Sequence, residues 1–233
     1  MAKKLVRSNL SEDAYSFLRD LFINGKRYNP GDKISVEELS RELGVSRTPL
    51  WGAINRLEAE GIVEIAPRLG VFLIDYDPQR IIDIYMAREA LEGVAARLAA
   101  EKIVGREVEA LRANVNQQRK LIKENKIDAY YAAAVEFHED IARIAKNNTV
   151  ERLLQSIFAQ IRAMRVQRSS APMHLPQSCD DHEEILKALE KQKPELAEKL
   201  MRDHIRDLTN VFRDEPMAQK LAPQSSMRRH LSR

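Results

Sequence analysis

From Val36 to Ile62 the chain reads VEELSRELGVSRTPLWGAINRLEAEGI, and its apolar positions fall into two short helical registers. Leu39 and Leu43 stand four residues apart, the spacing of one buried helix face. Gly44 follows and supplies the permissive backbone of a sharp turn, and Val45 plugs the angle between the two helices. Ser46 suits an N-cap, where its hydroxyl accepts an orphan backbone N–H. From Thr48 onward Leu50, Ala53, Ile54 and Leu57 recur at three and four, and Gly61 ends that second helix. The register then changes: Ile62-Val63-Glu64-Ile65 reads as a strand, Ala66 to Gly70 as a turn, and Val71 to Ile74 as a returning strand. Two helices joined at a glycine turn and followed by a hairpin predict a winged helix-turn-helix, whose second helix enters the DNA major groove.

Upstream, Leu10 to Phe22 places Ala14, Leu18, Leu21 and Phe22 on one face of a first helix, and Asn29-Pro30-Gly31-Asp32 is a turn. Downstream, Asp77 can cap a helix whose first residue is Pro78, and the domain boundary is placed there. Beyond it every segment reads as helix: Pro78–Lys102, Arg106–Glu124, Ile127–Lys146, Val150–Arg168, Asp180–Lys191 and Pro194–Arg213. Pro172 and Pro176 interrupt the pattern and fix a loop. The fold class is mainly α, with an N-terminal winged helix-turn-helix carrying a small β-hairpin wing and a C-terminal all-α six-helix bundle. The domains are residues 1–76 for DNA binding, 77–214 for effector binding and dimerisation, and 215–233 as a flexible tail.

Composition narrows the functional classes. The 233 residues suffice for two modest cores, and 44% hydrophobic with 31% charged residues is ordinary for a soluble protein. Residues 1–75 carry 11 Lys/Arg against 11 Asp/Glu, so DNA affinity must come from local clustering of Arg47, Arg56 and Arg68 and not from overall charge. One cysteine, Cys179, allows no intramolecular disulfide and fits a reducing cytoplasm. No apolar run approaches the ~20 residues needed to span a bilayer. The expected location is cytoplasmic, with no membrane partner.

The run NPGDKISVEELSRELGVSRTPL, with NRLEAEGIV and RLGVFLI after it, closely resembles the DNA-binding domain of GntR-family transcriptional regulators. Pro30 and Gly31, Val45 to Pro49, and Gly70 stand where that family has them. The resemblance implies DNA contacts from Ser46, Arg47 and Thr48 at the start of the recognition helix and from Arg68 and Gly70 at the wing tip. Arg47 could pair bidentately with a guanine, worth ~1–3 kcal/mol of discrimination. After Thr-Pro the family continues with an aliphatic residue and then Arg-Glu-Ala-Leu, whereas this chain has Leu50-Trp51-Gly52-Ala53-Ile54. Trp51 therefore replaces a base-reading Arg. It has one donor and no charge, so it either contacts a thymine methyl or sugar, or packs against the wing. Gly52 costs ~1 kcal/mol of helix propensity, and the operator is expected to be non-standard.

The second domain resembles the FCD effector domain of the FadR subfamily within the GntR regulators, through YMAREALEGVAARLAA, EFHEDIARIAKN, DDHEEILKAL and AEKLMRDHI. His138, His182 and His204 match that family's metal-binding histidines; His174 and His230 do not. The resemblance implies a bound divalent metal, zinc or nickel, both of which imidazole ligates well. The family's Asp ligand, four residues before the first His, is replaced by Ala134, and Glu136 is two residues off and points elsewhere. The alternative is three polar core residues that hold an effector directly. Arg88 stands where FCD domains often place an arginine facing the cavity, with Glu92 one turn later. Arg88 either clamps an effector carboxylate bidentately or forms an intrahelical pair with Glu92. Arg162 and Arg165 are further cavity candidates, and Tyr85, Tyr130, Tyr131 and Phe137 line the pocket or belong to the core.

The sequence therefore reads as a ligand-responsive transcription factor, not an enzyme. It is expected to act as a repressor and to bind a pseudo-palindromic double-stranded DNA operator as a homodimer. A small carboxylate is the expected effector. Two rival readings are a three-His metalloenzyme with an open position to activate water, and a DNA-binding module without strong sequence specificity.

Overall fold

The computed structural model describes residues 10–23, 27–167 and 175–214. These divide into two compact units, one from residues 10–76 with 159–167, the other from 77–158 with 175–214.

In the first unit α1 (Leu10–Ile23) buries Ala14, Leu18 and Phe22. Strand β1 (Lys33–Ile34) leads into α2 (Val36–Leu43), whose N-cap Ser35 accepts the Glu38 backbone N–H at 3.2 Å. Gly44 ends α2 in the left-handed conformation, φ 64°, which favours glycine. Helix α3 (Arg47–Ala59) buries Leu50, Ala53, Ile54 and Leu57. Ser46 has the extended backbone of an N-cap, yet its hydroxyl makes no capping bond, contrary to the sequence expectation. The turn is held one helix earlier, where Ser40 Oγ donates to the Val45 carbonyl at 2.7 Å.

Strands β2 (Val63–Ala66) and β3 (Gly70–Leu73) form the expected hairpin, with Val63 opposite Leu73 and Ala66 opposite Gly70. The wing is nevertheless a three-stranded antiparallel sheet, order β1-β3-β2, because Lys33 and Ile34 pair with Phe72 and Val71. Two residues are too few for an alternation to be read from sequence, so β1 escaped the pattern. Tyr76 is buried, and its hydroxyl donates to the Gly61 carbonyl at 2.5 Å.

The second unit opens with α4 (Pro78–Lys102), capped by Asp77, which accepts the Arg80 N–H at 2.8 Å. Helices α5 (Gly105–Lys123), α6 (Ile127–Ile144), α7 (Asn148–Gln167), α8 (Leu175–Glu190) and α9 (Pro194–Asp214) follow, α7 belonging to this unit only as far as Phe158. Helix α8 begins five residues before the expected Asp180, and Pro176 is its second residue. A proline in the first helical turn gives up an N–H that has no intrahelical partner, so it starts the helix and does not break it. The other helix ends fall within two residues of expectation. Pro172 and the tail 215–233 lie outside the described residues.

Ala95, Ala142, Ala145, Leu154 and Phe158 form a compact cluster where α4, α6 and α7 meet. Small residues on α4 bring its neighbours close. A Cβ on Gly93 would fall 2.7 Å from Arg202 Cγ of α9, so a larger residue there would displace the Arg202 side chain. Among the described residues no helix is long and apolar enough to cross a membrane.

Candidate metal centre and nucleic-acid interface

Each histidine occupies a core position of an amphipathic helix. On α6, Tyr130, Ala133, Phe137, Ile141 and Ala142 are buried around His138; on α8, Cys179, Ile185, Leu186 and Leu189 surround His182; on α9, Met201 and Ile205 flank His204. Burying these stripes carries all three imidazoles inward, and none is more than 4% exposed. Their Nε2 atoms converge. His182 Nε2 lies 3.2 Å from His138 Nε2 and 3.2 Å from His204 Nε2. The Phe137 ring stacks on His182 with centroids 4.5 Å apart.

The opposite ring nitrogens are each held by a different side chain. His138 Nδ1 lies 2.5 Å from Glu92 Oε2 of α4, an ion-pair contact, and among the described residues neither atom makes a hydrogen bond. His182 Nδ1 lies 2.8 Å from Gln118 Oε1 of α5, and His204 Nδ1 lies 3.1 Å from Asp181 Oδ2 of α8. Gln118 is itself oriented, since its Nε2 donates to Asn114 Oδ1 at 2.7 Å. Arg88 Nε donates to Glu92 Oε1 at 2.5 Å, and the Arg88 guanidinium lies 4.9 Å from the Tyr85 ring centroid.

All three Nδ1 partners are oxygen acceptors, so each imidazole is held as the Nδ1–H tautomer and directs an Nε2 lone pair inward. Three lone pairs within 4.8 Å of one another, two of the separations being 3.2 Å, repel unless a cation or a proton lies among them. Burial, reinforced by His204, His138 and Arg88, drives the His182 pKa well below the usual imidazole value. Burial also lowers His138, against the pull of Glu92. Burial raises Glu92, but Arg88 and His138 outweigh it and leave that carboxyl at about 2. Two imidazole nitrogens on one tetrahedral zinc at ~2.0–2.1 Å stand ~3.3 Å apart, so the donor set fits a divalent ion. Each ligand also has the outer partner that metal-binding histidines have. Among the described residues the cluster contains no carboxylate ligand, in keeping with Ala134.

Arg88 and Glu92 therefore form the intrahelical pair that their spacing allowed, and their place is behind His138. Arg162 is exposed and belongs to the stretch of α7 that groups with the N-terminal unit, not with the histidines. The side chain of Arg165, and His174 and His230, lie outside the described residues. Tyr85, Tyr130 and Phe137 are core residues. Sequence reasoning missed Gln118 and Asp181. The signal for Gln118 is a polar residue in the stripe Leu111, Val115, Gln118, Leu121, all buried on α5; Asp181 had only its adjacency to His182.

On the winged unit, Arg47, Thr48, Trp51 and Asn55 are exposed on the solvent face of α3. Among the described residues Arg47 makes only an exposed contact with Glu37, at 3.3 Å. Trp51 is 39% exposed and makes no hydrogen bond, ion pair or ring contact among the described residues. Arg56 turns back to α1, where it donates to Glu12 at 2.9 Å and lies 3.5 Å from the Tyr15 ring centroid. Gly52 faces α1 too, for a Cβ there would sit 3.2 Å from Ser11 Oγ. At the wing tip Arg68 is exposed in the left-handed conformation, φ 64°, inside a turn closed by Leu69 N–H to the Ala66 carbonyl at 3.0 Å. Gly70 follows at φ 124°, with a Cβ there meeting Lys33 Cε at 2.9 Å.

These two sites have recognisable counterparts. Residues 10–73 match the family described as bacterial regulatory proteins, gntR family, and residues 83–207 match the FCD domain. An uncharacterized HTH-type transcriptional regulator from an unstable DNA locus of Streptomyces ambofaciens is 30% identical over 214 residues, which is 88% of this chain and 86% of that one. The probable D-xylose utilization operon transcriptional repressor of Paenarthrobacter nicotinovorans is 26% identical over 204 residues, 88% of this chain and 89% of the relative. The repressor RspR of Escherichia coli is 27% identical over 188 residues, 79% and 81% of the two chains. Among solved structures, E. coli McbR/YncC shares the fold with a TM-score of 0.68 at 16% identity, over 91% of this chain and 98% of that one. A GntR regulator from Rhodococcus sp. RHA1 does so with a TM-score of 0.68 at 21% identity, over 88% and 98%. These relatives are transcriptional regulators and not enzymes, and some are named repressors. The chain belongs to the GntR family of bacterial transcriptional regulators, with a gntR-type winged helix-turn-helix followed by an FCD domain.

Proposed function

We propose that this regulator is a metal-dependent, carboxylate-responsive repressor of the FadR subfamily. Residues 1–76 serve as its DNA reader and residues 77–214 as its effector and dimerisation domain. The observation that carries this reading is the convergence of three buried Nε2 lone pairs, each fixed by an acceptor on its Nδ1. His138, His182 and His204 would hold zinc or nickel. Bound there, the ion supplies a positive, Lewis-acidic centre for the oxygen atoms of a small carboxylate. The protein's own part is to hold the imidazoles neutral and aimed, through Glu92, Gln118 and Asp181. Arg88 keeps Glu92 ionised, and thus acts on the effector through His138.

One winged unit can read only a half-site, so a pseudo-palindromic operator implies a homodimer. The helical unit has exposed apolar side chains that pairing would cover, Val94 of α4 at 36% and Leu153 of α7 at 47%. Effector binding would then shift operator affinity by a coupling of ~1–3 kcal/mol.

Metal analysis of gently purified protein, beside the His138→Ala/His182→Ala double variant, tests the reading. About one zinc or nickel per chain is expected, lost in the variant while the far-ultraviolet spectrum stays helical. Equal, negligible metal in both proteins would refute the metal-dependent reading.

A further inference from the structure

The recognition helix has one large side chain that nothing in the fold explains. The inner side of α3 is fully used by Leu50, Ala53, Ile54 and Leu57, each 1% exposed or less. Its outer side presents Arg47, Trp51 and Asn55 at steps of four residues, so the three form a stripe rising about one turn at a time. Arg56 is not part of that stripe, since Glu12 and the Tyr15 ring hold it against α1. Next to Trp51, Gly52 lies against α1, where a Cβ would meet Ser11 Oγ at 3.2 Å. Among the described residues the indole is thus left without a polar or ring partner, 39% exposed, one helical turn from Arg47.

Tryptophan is highly buried on average, and the weight of this one lies in its place, on the outer side of the second helix. The second helix of a winged helix-turn-helix presents its outer side to the major groove. In that groove the C5-methyl of thymine is the apolar feature among the hydrogen-bonding edges. An indole offers one donor and no acceptor, so it cannot satisfy the paired acceptors of guanine. Its ring can cover a methyl group. With residues 1–75 balanced at 11 basic and 11 acidic side chains, discrimination must come from such edge contacts more than from general attraction to phosphate.

We propose that Trp51 selects a thymine in each operator half-site by packing its indole against the thymine C5-methyl, beside the base contact made by Arg47. This rests on the regulator reading, and the test separates the two. Duplexes are selected from a random pool with the full-length protein, and each thymine of the winning half-site is then replaced by 2′-deoxyuridine, which removes the methyl and nothing else. At one thymine per half-site, wild-type affinity is expected to fall about fourfold per methyl lost, with the Trp51→Ala protein indifferent to the same change. Selection with Trp51→Ala should lose the preference for that thymine, and Trp51→Phe should keep it. The proposal is overturned if every uridine substitution leaves wild-type binding unchanged, or if Trp51→Ala selects the same half-site with the same affinity. In those cases the regulator reading stands as long as Arg47→Ala loses binding to the selected duplex. If the wild-type protein selects no sequence at all, sequence-specific reading fails and the proposal fails with it.

Discussion

Two of the molecule's arginine–glutamate pairs set the same chemistry in opposite surroundings. On the winged unit Arg47 meets Glu37 at 3.3 Å with both side chains about two-thirds exposed, at 64% and 65%. In the helical unit Arg88 meets Glu92 at 2.5 Å with both side chains almost fully buried, at 4% and 2%. An exposed pair is worth ~0–1 kcal/mol and exchanges freely with water, salt or phosphate. A buried pair with one partner removed leaves an uncompensated charge, at ~3–5 kcal/mol. On the function proposed above, the difference matches what each arginine would do. A side chain that would release its partner to meet a base is held loosely on the surface, and one that would fix the direction of a metal ligand is locked into the core.

Breaking the buried pair should have the largest effect. Glu92→Ala strands Arg88 and unties His138, and we expect a loss of ~3–5 kcal/mol in denaturant unfolding. A double variant, Arg88→Met/Glu92→Met, replaces both charges with apolar volume and should recover much of that stability. It should not recover metal affinity, because His138 would still lack its acceptor. Full stability in Glu92→Ala would mean that Arg88 is not held there.

Gln118→Leu probes the same site without creating a buried charge. The shape is nearly kept, but His182 Nδ1 loses its acceptor, and the choice of tautomer with it. We expect metal affinity to drop ~10–100-fold in a chelator competition. An unchanged affinity would show that the outer partners do not orient the ligands.

The two regions also differ in how much of them the sequence discloses. The reader was legible almost residue by residue, because its parts are contiguous: the helices, glycine turn and wing lie within Val36 to Leu73. Only β1 was hidden, since its pairing with β3 is a tertiary event of two residues. The histidine cluster was legible in its three members, through resemblance, and in the apolar stripes that carry them inward. Its outer partners were not. Glu92, Gln118 and Asp181 come from three helices, separated from their histidines by 46, 64 and 23 positions, and no local periodicity encodes which polar side chain will face which imidazole. Spacing left Arg88 and Glu92 open between a cavity and an intrahelical pair. Packing chose the pair, because burying either charge alone is far costlier.

On the exposed side, Arg47→Ala should leave unfolding within ~0.5 kcal/mol of wild type, as surface changes do. It should weaken binding to a selected duplex by ~1–3 kcal/mol, read by fluorescence anisotropy at fixed salt. A large loss of stability would place Arg47 in the fold and not in the groove.

The smallest effect belongs to the wing tip, and it has two opposite signs. Arg68 holds a left-handed φ of 64°, a conformation that is strained for a residue with a Cβ and free for glycine. Its side chain is exposed, with no partner among the described residues, so nothing in the fold compensates that strain. Arg68→Gly removes the strain and the charge together. Relief of the backbone is offset by the greater freedom of glycine in the unfolded chain, so the wing should gain at most ~1 kcal/mol. Binding to duplex DNA should weaken, with the slope of log affinity against log salt shallower by ~1, the signature of one lost phosphate contact. If stability rises and the salt slope is unchanged, Arg68 carries strain for some purpose other than DNA. A fall in both affinity and slope identifies the strained turn as the device that holds a cation at the wing's edge.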